Sequence, residues 1–134
     1  MKTKMQTSVI KKTLLLALML GTCSAWAEWV SVKDSNNVKN YIDPATIRKD
    51  GNLRKVWQLQ NLKQRDTDGA MSRRVRIEYD CNGERYRLLT ASTHSEPMAS
   101  GKGLITTDFG NRNPWSQIPP GTASETVLKI VCAQ

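Results

Sequence analysis

The most regular alternation in the chain runs from Arg73 to Cys81, where Val75, Ile77, Tyr79 and Cys81 alternate with Arg74, Arg76, Glu78 and Asp80. A period of two is the signature of a strand with one buried face. Asn82-Gly83 follows, the dipeptide of a two-residue type I′ turn whose central residues both take positive φ. "ERYRLLTA", Glu84 to Ala91, then resumes the pattern. Such a turn sets Cys81 opposite Glu84, Asp80 opposite Arg85, Tyr79 opposite Tyr86, Glu78 opposite Arg87 and Ile77 opposite Leu88. Apart from Cys81 and Glu84, apolar side chains meet on one face and opposite charges on the other, each pair worth up to about 1 kcal/mol. A slip of one residue would put Tyr79 and Ile77 in water.

Around this hairpin the pattern predicts a further set of short elements. "WVSV" (Trp29 to Val32) and "VKNYI" (Val38 to Ile42), separated by the turn-forming "DSNN", read as a first pair of strands. In "DPATI", Asp43 is placed as an N-cap with Pro44 at the first helical position, which predicts one helical turn. "LRKVWQLQNLK", Leu53 to Lys63, has the β-branched and aromatic content of a long strand, with Trp57 in the core. Ser95 to Gly121, rich in Gly, Ser, Pro and Asn, reads as loop apart from a short strand at "GLITT". Thr122 followed three residues later by Glu125 is a capping box, and Ala123, Val127, Ile130 and Val131 fall on one helical face behind it. A last strand is the alternative there, since Val, Ile and Thr also favour extended chain.

The first residues follow a different logic. Lys2, Lys4, Lys11 and Lys12 precede "LLLALML", Leu14 to Leu20, and small and polar residues come next. That order is the signature of a secretory signal peptide, and the run falls well short of the roughly 20 apolar residues a membrane-spanning helix needs. Ala25-Trp26-Ala27 fits the small-x-small cleavage pattern, so residues 1–27 are read as a signal peptide and 28–134 as one domain, exported to the periplasm or secreted. "LGTC", Leu20 to Cys23, is the competing site, at which lipid on Cys23 would make an outer-membrane lipoprotein; Thr22 stands where that motif has Gly, Ala or Ser. No later segment is long and apolar enough to span a membrane.

Charge and cysteine content narrow the picture. The full chain carries 20 basic and 12 acidic residues, a formal net charge of +8; the signal segment holds four of those cations and no acid, leaving +4. So mild a charge aids solubility and is a poor argument for nucleic acid, for which no recognition motif is present. After cleavage Cys81 and Cys132 remain, an even pair in an oxidising compartment. A bridge between them would close a loop of about 50 residues, worth about 4 kcal/mol in the chain-entropy view; a metal or redox pair is the alternative.

Chemistry-bearing residues are few. His94 is the only histidine, no carboxylates repeat at ligand spacing, and "SGKG" lacks the spacing of a phosphate-binding loop. Neither a nucleophile–base pair nor a metal set can be assembled, so the reading is a non-enzyme without metal or cofactor. Arg73, Arg74 and Arg76, with Lys63 and Arg65 across the preceding turn, form the one candidate patch, suited to carboxylate or sulfate through guanidinium forks. Trp115, in "RNPWSQIPPG", is either a binding anchor or a plug between loop and helix.

Taken in order, "YIDPATIRKDGN", "VWQLQNLKQ", "EYDCNGERYRLL", "HSEPMASGKG", "PWSQIPPGT" and the terminal "VC" resemble the surface-adhesin protein E family of small exported bacterial proteins. The resemblance spans the mature chain. It implies an α+β fold, a single antiparallel sheet of hairpins with a C-terminal helix joined to it by one disulfide. It also implies a binding module for host extracellular-matrix and plasma proteins such as vitronectin and laminin, able to form a homodimer. Shared fold does not by itself transfer activity. A second function class, a periplasmic inhibitor or accessory protein contacting another envelope protein, is suggested by the loose likeness of "ASGKG" to the Ser-Gly element of lysozyme inhibitors. A net charge of +4 opposes docking on a basic lysozyme.

Overall fold

A computed structural model describes residues 27–134. The chain forms one antiparallel sheet whose strands follow sequence order: β1 (Val30–Ser31), β2 (Val38–Asp50), β3 (Leu53–Leu62), β4 (Ser72–Asp80), β5 (Arg85–Glu96) and β6 (Ser100–Asp108). A two-residue strand, β7 (Ser116–Gln117), pairs with the start of β5. One helix, α1 (Ala123–Cys132), closes the described chain. No described helix is long and apolar enough to cross a membrane.

The central hairpin has the register its charges and aromatics dictate: Asp80–Arg85, Tyr79–Tyr86, Glu78–Arg87 and Ile77–Leu88 are partners. The turn itself differs from the type I′ expected. Residues 81–84 form a four-residue loop in which Glu84, at φ 50°, takes the left-handed position and Asn82 and Gly83 do not. The cause is Asp80, whose carboxylate accepts from the backbone N–H groups of both Asn82 and Gly83 at 3.1 Å. Gly83 is needed for room rather than for φ, since a Cβ there would lie 2.8 Å from Asp80 Oδ2 and 2.9 Å from Arg85 Nε.

Two further expectations give way. No helical turn forms at Asp43; β2 runs through as a strand with a register shift between Asp43 and Arg48. Pro44 has no N–H to give the ladder, so the strand buckles, and the side chain of Thr46 repairs the gap. Its hydroxyl donates to Asp43 O at 2.7 Å and accepts from Trp57 N at 3.0 Å. From Ser95 to Asp108 the chain is mostly strand rather than loop, while Phe109 to Gly121 is loop apart from β7. Thr90 to Glu96 and Ser100 to Asp108 pair as a long hairpin. Its tip turns through Met98 and Ala99, at φ 61° and 56°, a conformation costly for residues with a Cβ. Three contacts hold the tip: Met98 N donates to Asn61 Oδ1 at 2.8 Å, Ala99 N to Ser72 Oγ at 3.0 Å, and Ser72 Oγ to Glu96 O at 2.6 Å.

Helix α1 lies on one face of the sheet. Val127, Leu128 and Val131 meet Ile42, Val56, Val75, Ile77 and Tyr79 in a single buried cluster, with Ile118 packed at its margin. Tyr79 is fully buried, and its hydroxyl donates to Gln58 Oε1; burial pushes its pKa well above the ordinary phenol value. Thr122 caps the helix by accepting from Glu125 N at 3.3 Å, while Glu125 pairs with Lys129 at 3.4 Å. The C-terminal end is held twice. Arg54 donates to Val131 O at 3.2 Å, a cation at the negative pole of the helix. Cys132 is joined to Cys81, their Cα atoms 5.8 Å apart, tying the helix to the sheet at the hairpin end.

Candidate functional site

Because partners across a ladder share a face, the register assigns the side of the sheet turned away from α1. Lys55 and Trp57 of β3, Arg74, Arg76, Glu78 and Asp80 of β4, and Arg85, Arg87, Thr90 and Ser92 of β5 stand there together. Two tryptophan rings organise this far face. The Arg74 guanidinium lies 3.9 Å from the centre of the Trp57 ring and that of Arg76 6.0 Å. Arg87 and Arg85 lie 4.3 Å and 4.9 Å from the centre of Trp115. A guanidinium over an indole face gains about 0.5–2 kcal/mol from the ring quadrupole and is held flat.

The two clusters differ in how their charge is used. Arg87 meets Glu78 at 2.7 Å, with the glutamate side chain only 4% exposed, and Arg85 meets Asp80 at 2.8 Å. The hydrogen bond from Arg85, with those from the turn amides, holds the Asp80 carboxyl below the usual range. Around Trp57 the arginines have no such partners. Among the described residues no carboxylate lies within 4.0 Å of Arg74 or Arg76, and their side chains donate to no protein acceptor. Both are half-buried, so the guanidinium planes are positioned while their N–H edges stay open. Nearby, His94 sits 2.9 Å from Ser92 Oγ. Burial, and then the Arg74 charge, lower its pKa.

The basic patch of the sequence is thereby divided. Arg73 falls on the helix side of β4 and pairs with Asp66 at 3.4 Å. Amides of the 66–70 turn, that of Ala70 foremost, and Arg73 hold the Asp66 carboxyl low. Arg65 is turned to the carbonyls of Gly69 and Ser95 and to Glu96 at 3.8 Å. Only Arg74 and Arg76 remain together. Trp57, expected in the core, is instead half-buried under Arg74. Trp115 does not plug the loop–helix junction, where Ile118 packs on the core. Sequence reasoning missed the pairing of Trp57 with arginine because β3 carries large apolar residues on both faces, Val56 on one and Trp57 and Leu59 on the other. The period-two pattern of β4 was the signal that could have exposed it. Cys23 and Ala25 lie outside the described residues; Ala27 is exposed at their margin.

Among the described residues, concave sites offer little. A shallow hollow of about 370 Å³ is lined by the consecutive residues Asp108 to Arg112, and a cleft of about 130 Å³ between Glu84, Ile118 and α1 is below the size of small-molecule pockets. Among the described residues no three His, Cys, Asp or Glu side chains stand together as a metal site.

This sheet with one helix has a counterpart. The profile of the surface-adhesin protein E family matches residues 29–133. The chain belongs to the surface-adhesin protein E family. Crystal structures of Haemophilus influenzae protein E share its fold: one form superposes with a TM-score of 0.60 at 16% identity, covering 82% of this chain and 91% of that one. The selenomethionine form gives 0.62 at 15%, over 82% and 89%. Protein E from the non-typeable bacterium gives 0.55 at 17%, over 84% and 79%. At such identity the likeness is one of fold. No curated protein matches the chain.

Proposed function

We propose that this protein is an exported, non-enzymatic binding module of the bacterial envelope that adheres to host matrix proteins through the far face of its sheet. The observation that carries the reading is the pair of guanidinium groups, Arg74 and Arg76, fixed against Trp57 without carboxylate partners among the described residues. Tryptophan and arginine are the side chains that dominate protein interfaces. A positioned, unpaired arginine costs less to desolvate and orient on binding than a free one. Family membership supports an adhesin role. The order of the first 27 residues supports export with release after Ala27, and lipid attachment at Cys23 is the alternative it must be tested against.

Two measurements test the reading. Immobilised vitronectin and laminin should retain the purified protein at micromolar concentration; no retention of the folded protein on either would sink adhesion to these matrix proteins. Intact mass in separated membrane and soluble fractions of the native cell should show a chain starting at Glu28 and lacking two hydrogens for the disulfide. A triacylated Cys23 in the membrane fraction would overturn release.

A further inference from the structure

The far face carries a chemical pattern more specific than positive charge. Two adjacent rows cross the sheet: Trp57, Arg76, Thr90 and Asp108 in one, Leu59, Arg74, Ser92 and Thr106 in the next. Each open guanidinium therefore has a hydroxyl side chain as its neighbour on β5. Positions i and i+2 of β4 set Arg74 and Arg76 about 6.5–7 Å apart. The acids bounding the first row are engaged by backbone: Asp43 accepts from Ala45 N and Asp108 from Gly110 N.

From this juxtaposition we infer that Arg74 and Arg76 bind the sulfate esters of a sulfated polysaccharide laid across the far face, with Thr90, Ser92 and Thr106 receiving its sugar hydroxyls. The inference rests on the reading of this face as a binding surface and names a ligand class for it. A planar guanidinium fork matches two oxygens of a tetrahedral oxyanion, which a lysine ammonium cannot do. Stacking on Trp57 fixes the plane of the fork before the ligand arrives, so less rotamer entropy is lost on binding. Arg85 and Arg87 cannot serve in the same way, because Asp80 and Glu78 already occupy them. An acidic peptide is the less suited partner. Its backbone amides and carbonyls need complementary groups at a sheet edge, whereas Arg74 and Arg76 stand on a central strand whose backbone is already paired on both sides by β3 and β5.

The test uses the purified protein with heparin, chemically desulfated heparin and polyglutamate as probes, read by calorimetry over a range of salt. Heparin should bind with strongly salt-dependent affinity, as counterion release requires, and the other two should bind at least tenfold more weakly. Arg74→Gln/Arg76→Gln should weaken heparin about tenfold or more, since two charge-assisted bonds are lost. Lys49→Gln/Lys129→Gln removes the same charge from the helix side and should change affinity less than about twofold. If the glutamine pair fails to fold, Arg74→Lys/Arg76→Lys keeps the charge and should still weaken heparin about threefold through loss of the forks. Equal losses in the arginine and lysine double variants, undiminished binding of desulfated heparin, or tighter binding of polyglutamate would each overturn the inference. Retention of the protein on glycan-free recombinant vitronectin or laminin, with no heparin binding, would leave the adhesin reading standing and remove this one alone.

Discussion

The two faces of this sheet solve opposite problems with the same strands. The side under α1 buries Ile42, Val56, Val75, Ile77 and Tyr79 against Val127, Leu128 and Val131, and the buried pairing at its centre, Tyr79 with Gln58, is closed on itself. On the far side indole rings take the place of a second helix, and guanidinium groups lie over them. Stability is concentrated on the first face and unsatisfied hydrogen-bonding capacity on the second. Substitutions should therefore separate into those that move unfolding and those that move binding. Within the far face the same division recurs between the paired Trp115 cluster and the open Trp57 cluster.

The sharpest way to break the comparison is to cut the cross-link. Cys81→Ala/Cys132→Ala should cost about 4 kcal/mol, read by urea unfolding, with binding by the surviving folded fraction unchanged. A loss of binding at full folding would mean that the helix side shapes the far face. Next in size, Arg87→Met leaves the Glu78 carboxylate buried without its cation and should lower stability by about 3 kcal/mol, while Glu78→Gln in the same chain should recover much of it. A negligible effect of Arg87→Met would show the Trp115 cluster to be free, like its neighbour. Smaller still, Trp57→Leu should lower stability by about 1 kcal/mol through the lost guanidinium stacking, yet weaken binding to the far face more than any single helix-side substitution.

The smallest effect concerns His94. Its pKa is lowered in the folded protein, so below the ordinary value near 6.5 the unfolded chain takes up the proton first and stability falls as pH drops. Thermal unfolding at pH 7.5 and 5.5 should show this decline in the native chain and a shallower one in His94→Gln. Equal declines would assign it to other groups.

What was legible in the sequence was whatever a local rule determines. The register of β4 and β5 followed from four cross-strand pairs that only one alignment satisfies. Helix α1 followed from a capping threonine and a periodic apolar face, and the bridge from an even pair of cysteines in a chain read as exported. The failures arose where a longer-range partner decides. Asp43-Pro44 has the local form of a helix start, but Thr46 reaches Trp57 across the ladder and keeps the chain in the sheet. β6 has the composition of a loop because it is an edge strand with little to bury, and pairing with β5 supplies the order its side chains do not. The candidate site was half legible: Arg74 and Arg76 were named, but Arg73 was grouped with them because adjacency in sequence hides the two-sidedness of a strand. Trp57 reads as core because β3 carries apolar side chains on both faces, Val56 on one and Trp57 and Leu59 on the other, so its own pattern does not say which side is turned from the helix.

The bond between Cys81 and Cys132 has a consequence for survival among proteases. It closes a ring that contains β5, β6, β7 and α1. A protease that nicks the exposed Asn111-Arg112 segment opens the ring without releasing a fragment, since both new ends stay covalently attached and each remains hydrogen-bonded into the sheet. Two cuts within the ring would be needed before any piece could diffuse away.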